Sequence, residues 1–162
     1  MKVYWNAFKH SLRLPQKQSV FALNRIGMDI AVIYLFMLLG LASLPALYEQ
    51  ILMNESSDVP IHIFFFLIYF FIFYYLILAI VVFTALSAIA YIAKLVAGGL
   101  ERKLHYAILW KMAAFSMTLP IILFTAISFV YSLSEWFLFF SIIYIFFILV
   151  KIILIYPKRK KR

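Results

Sequence analysis

From Ile61 to Ala93 the chain runs for 33 residues without a glycine, a proline or a formal charge. As a helix, rising about 1.5 Å per residue, that stretch is roughly 50 Å long. It exceeds the roughly 30 Å hydrocarbon core of a bilayer. Nothing in it marks a place to divide it into two short spans. The reading is one tilted helix whose alanine-rich end, Ala85 to Ala97, reaches the cytoplasm, where Gly98-Gly99 ends it.

Three further apolar stretches accompany it, about Met28 to Tyr48, Ala107 to Tyr131 and Trp136 to Tyr156. Each is long enough for a helix to cross a bilayer, which takes about 20 residues. The alternating polar pattern of a barrel lumen is missing, so helices are the expected elements. Hydrophobic residues make up 67% of the chain and charged ones 13%. A soluble globule of this size cannot hide so much apolar surface, whereas lipid solvates it. The expected fold is therefore all-α: a polytopic membrane protein of four spans over 28–156. An amphipathic segment, 1–27, precedes the spans and a basic tail, 157–162, follows them. The first 27 residues are polar and basic and show no signal-peptide pattern, so the first span is expected to be retained.

The basic residues orient the spans. Lys2, Lys9, Arg13, Lys17 and Arg25 precede span one; Lys94, Arg102, Lys103 and Lys111 surround the connection between spans two and three; Lys151 and Lys158 to Arg162 end the chain. With four spans, all 15 fall on one side. The other side holds Glu49, Glu55, Asp58 and Glu135, with no lysine or arginine. The positive-inside rule then puts both termini in the cytoplasm, and a plasma membrane is the expected location. The net charge of +9 is explained by this segregation, without a nucleic-acid partner. Tyr48, Tyr131 and Trp136 mark the outer boundary; Tyr91, Tyr106, Trp110 and Tyr156 mark the inner one.

At helical spacing, Tyr4, Trp5, Phe8 and Leu12, with Ala7 and Ser11, share one face of the N-terminal segment. Lys2, Asn6, Lys9, His10 and Arg13 share the other, and Pro15 stops the helix. This pattern suits the interface of an anionic leaflet, with Lys2, Lys9 and Arg13 as lipid contacts. Packing on the protein's own loops is the competing reading. The terminal run Lys158, Arg159, Lys160, Lys161 and Arg162 follows a span directly and reads as a second anionic-lipid contact.

Four residues within the spans are candidates for function. Asp29 lies one turn inside span one, as a proton or cation site or as a carboxylate favoured by the helix dipole. Gly40 and Ser43 share its face. Span three carries the small and polar stripe Ala114, Thr118, Thr125, Ser128 and Ser132, interrupted by Pro120, which leaves the Ser116 carbonyl without its helical donor. Thr118, Pro120 and Thr125 form either a hinge or polar path, or a close-packing seam whose hydroxyls bond back to the backbone. Span two has a small stripe of its own, Ser87, Ala90 and Ala97. Spans one to three are expected to form the packed core, with span four facing lipid or a partner. Asn54-Glu55-Ser56 matches a glycosylation sequon.

Catalytic, cofactor and metal motifs are missing. The chain has no cysteine, which excludes disulfides and thiolate ligands. His10, His62 and His105 are scattered, and no HExxH, GxSxG or phosphate-binding loop occurs.

Phe8-Lys9-His10-Ser11-Leu12, Pro15, Phe21, Arg25-Ile26-Gly27 and Tyr34 form one recognisable block. Leu104-His105-Tyr106, Trp110-Lys111 and Thr118-Leu119-Pro120 form a second. The pair resembles a family of small bacterial membrane proteins of unknown function. Some members bear the name maltodextrin-utilisation proteins, and the family is similar to the Yip-type membrane proteins. The resemblance implies a Gram-positive-type plasma membrane and an accessory role near a transport system. Members carry a sizeable extracytoplasmic domain between spans one and two; here only Glu49 to Pro60 lies there.

The leading expectation is a non-enzymatic accessory or scaffold subunit acting through membrane-protein partners or a second copy of itself. The alternative is a small oligomeric transporter or channel using Asp29 and the span-three stripe. A lipid-modifying enzyme using His105 or Glu101 is a third, weaker reading.

Overall fold

A computed structural model describes residues 2–55, 62–129, 131 and 136–157. The described residues are helical and include no strand, and four helices are long and apolar enough to span a membrane. The protein is an all-α, multi-pass membrane protein. Ser132, Asp58, Glu135 and the Lys158–Arg162 run lie outside the described residues, as does Ser56 of the sequon.

Two short helices precede the spans. Helix α1, Lys2–Ser11, ends ahead of Pro15, whose ring cannot continue it, and α2, Lys17–Asn24, follows from an extended Gln16. The sequence reading had one helix here; the turn around Pro15 allows a second to fold back on the first. Helix α3, Met28–Glu55, forms the first span and continues past Tyr48, with Pro45 inside it.

The second span is one helical run from Ile63 to Gly99, made of α4 (Ile63–Phe70), a π-helical turn (Phe71–Tyr75) and α5 (Leu76–Gly99). The π turn follows from packing. Its inward row reads Phe66, Phe70, Tyr75, Ala79, then Leu86, Ala90, Ala93 and Ala97. Steps of three and four residues suit an α-helix; after Phe70 the row divides, with Tyr74 stacked on the Phe70 ring at 4.9 Å and Tyr75, five residues on, donating to Phe36 O, and one wider turn admits both.

The glycines do not end this run in the expected way. Both keep negative φ, and Glu101 takes the left-handed conformation instead, at φ 54°. Arg102 N donates to Ala97 O at 2.9 Å and Glu101 N to Gly98 O at 3.1 Å. These two bonds make a Schellman closure with Glu101 in the position glycine usually fills.

The third span is divided into α6, Tyr106–Ser116, and α7, Thr118–Ser128, with Met117 between them. The division falls one turn before Pro120. Helix α8, Trp136–Ile155, is the fourth span.

Span three is the centre of the molecule. All residues from Leu109 to Ser116 are buried, so α6 is enclosed on every side. Helix α3 packs along α7, α5 along α6, and α1 and α2 lie against α6. Span four belongs to this core as well, which corrects the expectation that it stands outside. Ile145, Ile148, Leu149, Ile152 and Ile153 are buried against α6 and α5, while Trp136 to Phe140 remain largely exposed. An all-apolar helix gives no polar face to reveal which side is inward.

Candidate functional site

The basic residues and their neighbours meet at one end of the bundle. Lys111 is the sixth residue of α6 and is buried. Its ammonium donates to Asn24 O at 2.9 Å and Ile26 O at 2.7 Å. Those carbonyls end α2, where the helix dipole is negative, so the lysine caps α2 from a different span. Arg102 does the same for the fourth span: its guanidinium donates to the carbonyl of Tyr156, just past α8. Phe21 of α2 packs on the Tyr156 ring at 5.5 Å. Burial pushes the Tyr156 phenol up from its ordinary pKa. Among the described residues its hydroxyl has no hydrogen-bond partner.

Deeper in the bundle, Tyr34 of α3 shares a 2.8 Å hydrogen bond with Thr118 at the start of α7. Ser11 at the end of α1 faces the same tyrosine and donates back to Ala7 O. The N-terminal arm is thus docked in the helix bundle. Ala7 and Ser11 are buried, Tyr4 and Phe8 half-buried, and Val3, Trp5 and Leu12 exposed. The small residues of the expected apolar face contact the protein, and part of its bulk points away. Lys2, Lys9 and Arg13 are exposed, and Lys9 lies over the Trp5 ring at 5.3 Å.

The span-three stripe faces span one. Thr118 donates to Phe115 O at 2.7 Å, Ser116 to Met112 O at 2.7 Å, and Thr125 to Ile121 O at 2.9 Å. The Thr125 hydroxyl also lies 3.5 Å from Leu41 O. Pro45, four residues on, cannot supply that carbonyl's helical donor. Ala114, Thr118 and Pro120 are buried. Asp29 does not join them. It is exposed at the start of α3, and its carboxylate folds back over Gly27. The structure therefore brings Thr118 and Thr125 onto one seam with span one, turns Pro120 to a space shared with residues of α5 and α8, and leaves Asp29 apart. Ser43 is buried and bonds to Gly40 O at 2.9 Å. The span-two stripe is also internal: Ala90 and Ala97 are buried, and Ser87 accepts from Trp110 Nε1 at 3.2 Å.

Of the residues of the enzyme reading, His105 lines a loop cavity of about 380 Å³ with Arg102, Lys103 and Leu104, and Glu101 is not among its lining residues. Among the described residues no group of three histidine or acidic side chains could hold a metal.

At the opposite end of the bundle a cleft of about 370 Å³ opens between α3, the π turn and α7. Glu49, Tyr48, Tyr74, Ser128 and Phe129 surround its mouth. A narrower space of about 120 Å³ shares Ala42, Tyr74 and Phe124 with it and extends towards Pro120 and α8. Sequence reasoning missed this cleft. Its residues come from three spans, and Tyr74 reaches it from the π turn, which an unbroken apolar sequence does not announce.

No curated protein and no solved structure matches the chain. A family model described as "Protein of unknown function (DUF1189)" matches residues 57–153, covering span two, span three and most of span four. That is 97 of 162 residues, and it includes the Leu104–Pro120 block but not the N-terminal one. The chain belongs to the DUF1189 family.

Proposed function

We propose that this protein is a non-enzymatic accessory subunit of the plasma membrane that works by lateral association of its second span with a helix of another membrane protein. One observation carries the reading. Val81, Ala85, Ala88, Ile92 and Leu95 are all exposed on α5 and follow one another at steps of four, three, four and three. That is the spacing of a left-handed helix–helix seam. Exposed apolar residues alone carry no such meaning in a bilayer, since lipid tails are equally apolar. Two features add meaning here. The seam has small residues at its middle, where a neighbouring backbone can approach closely. The helical run also overshoots the membrane. Its 37 residues, Ile63 to Gly99, extend about 55 Å, against about 40–45 Å for a bilayer with its headgroups. Even a typical tilt of about 20° leaves apolar turns beyond the lipid, and a protein neighbour covers them.

With both termini cytoplasmic, the uncovered turns are those of Tyr91, Ile92 and Leu95. The partner is a membrane protein with its own small-residue seam, and the family resemblance favours a transport system. Exposed Lys2, Lys9 and Arg13, together with the Lys158–Arg162 run, hold the cytoplasmic side against anionic lipid. Purification from native membranes in mild detergent tests the reading. The expected outcome is a stoichiometric membrane-protein neighbour that is lost on Ala85→Trp with Ala88→Trp. A chain that stays solitary at native expression sinks it.

A further inference from the structure

The cleft at the acidic end of the bundle is separate from the second-span seam and asks for a small occupant. Its chemistry is uneven along its depth. The mouth holds one carboxylate, Glu49, two phenols, Tyr48 and Tyr74, and the Phe129 ring. Tyr48 and Phe129 are a tilted pair with centroids 6.4 Å apart, each more than half exposed. Glu49 lies within electrostatic reach of Tyr74. The deeper extension is lined by Leu39, Leu78, Val82, Ile121 and Leu138, with Phe124 at the junction. A polar, anionic, aromatic mouth thus leads directly into an apolar slot.

Charge narrows the occupant. No lysine or arginine occurs between Arg25 and Lys94, or between Lys111 and Lys151. The three spans lining the cleft, and α8 beside its extension, therefore offer Glu49 no lysine or arginine partner near this end. His62, at the start of α4, is not among the residues lining the cleft, so a positive group at the mouth comes from the occupant. Aromatic rings beside a carboxylate are the arrangement that holds an organic ammonium, through ring quadrupoles and the full charge together. A bare divalent cation fits worse, because calcium takes six to eight oxygen ligands and magnesium needs near-octahedral geometry. An anionic headgroup is repelled by Glu49. The apolar slot favours an ammonium that carries a hydrocarbon chain, since a free amine leaves that surface unfilled.

We infer that this cleft binds one lipid of the leaflet it opens to, an aminophospholipid of the phosphatidylethanolamine type. Its ammonium sits between Glu49 and the Tyr48, Tyr74 and Phe129 rings, and the first part of an acyl chain enters the slot beside Phe124. The π turn serves this site directly, because it carries Tyr74 into the mouth while Tyr75 beside it turns to the first span and donates to Phe36 O at 2.9 Å. The inference does not depend on the second-span partner.

Native mass spectrometry of the full chain, released from detergent with equimolar phosphatidylethanolamine and phosphatidylglycerol of identical chains, tests it. The expected result is retention of phosphatidylethanolamine over phosphatidylglycerol by about threefold to fivefold, the size of an exposed cation–aromatic contact beside a carboxylate. Glu49→Gln, an exposed position, is expected to abolish the preference without changing the melting temperature. Ala42→Phe, which fills the junction, is expected to lower retention of both lipids. Equal retention of the two lipids by the native chain overturns the inference, as does a preference that survives Glu49→Gln. Free phosphorylethanolamine serves as competitor. If it displaces the lipid at equal concentration, the acyl chain contributes nothing and the lipid assignment fails.

Discussion

The ammonium of Lys111 donates to the backbone carbonyl of Ile26 at 2.7 Å, across 85 residues of sequence. Together with the bond to Asn24 O it fixes the end of α2 to the central span. Its partners are peptide carbonyls, so the cation is held by a helix terminus and not by an acid. The structure uses the same device a second time, with Arg102 at the end of α8.

Lys111→Met keeps the length of the side chain and removes both donors. The expected cost is about 3 kcal/mol, since hydrogen bonds to charged groups contribute roughly 1.5–3 kcal/mol each and two carbonyls lose their partner. The arm is expected to detach before the spans unfold. Trypsin cleavage at Arg13 or Lys17 in detergent, compared with the native chain, reports this directly. Unchanged cleavage rates contradict the docking role of Lys111.

Tyr34→Phe removes the hydroxyl that meets Thr118. Thr118 keeps its bond to Phe115 O, so the loss is expected to be modest, about 1 kcal/mol. Thr118→Val alone and the double variant complete a cycle. A coupling of about 0.5 kcal/mol or more is expected for two groups in contact. Additive effects show that the pair contributes nothing of its own.

Tyr156→Phe has the opposite sign. The hydroxyl is buried without a partner among the described residues, so its removal is expected to stabilise the protein by about 1 kcal/mol. The same burial raises the folded-state pKa of this phenol above the unfolded value. The protein therefore carries no ionisation penalty from this phenol below the unfolded pKa of about 10 and loses stability as pH rises from there through the folded value. Thermal melts of both proteins from neutral pH to alkaline pH check both statements. The native chain is expected to lose more stability above about pH 10 than the variant.

Deletion of a single residue tests the π turn. Removing Phe73 from the wide turn restores steps of four along the inward row and leaves Leu86, Ala90 and Ala93 facing α6. The expected cost is about 1 kcal/mol. Removing Ile80, outside that turn, rotates everything before it by about 100° relative to α6 and is expected to prevent folding. Equal tolerance of the two deletions contradicts the register argument.

Much of this architecture was legible in the residues. Apolar length defined the four spans, and the grouping of lysines and arginines followed their alternation. The helix breaks in span three were foreshadowed by Pro120, and the seam of Thr118 and Thr125 by their spacing. What was hidden has physical causes. Phe71 to Tyr75 differ little in polarity, so no periodicity betrays a five-residue step. Lys111 stood in the sequence as one more basic residue, because carbonyl partners leave no mark on side-chain composition. Glu101 took the left-handed position beside two glycines better suited to it. Asp29 drew attention as an acid in a span, yet it lies at an exposed helix start. Glu49 drew none, because its cleft is assembled from residues far apart in the chain.

The proposed binding of a protein neighbour to the outward seam of the second span has a direct measurement. A photo-reactive amino acid placed singly at Ala85, Ala88 and Ile92, and for comparison at Phe139 on the exposed part of span four, measures this in intact native membranes. One shared protein adduct is expected from the three seam positions and only lipid adducts from Phe139. Lipid adducts alone from Ala85, Ala88 and Ile92 would contradict it.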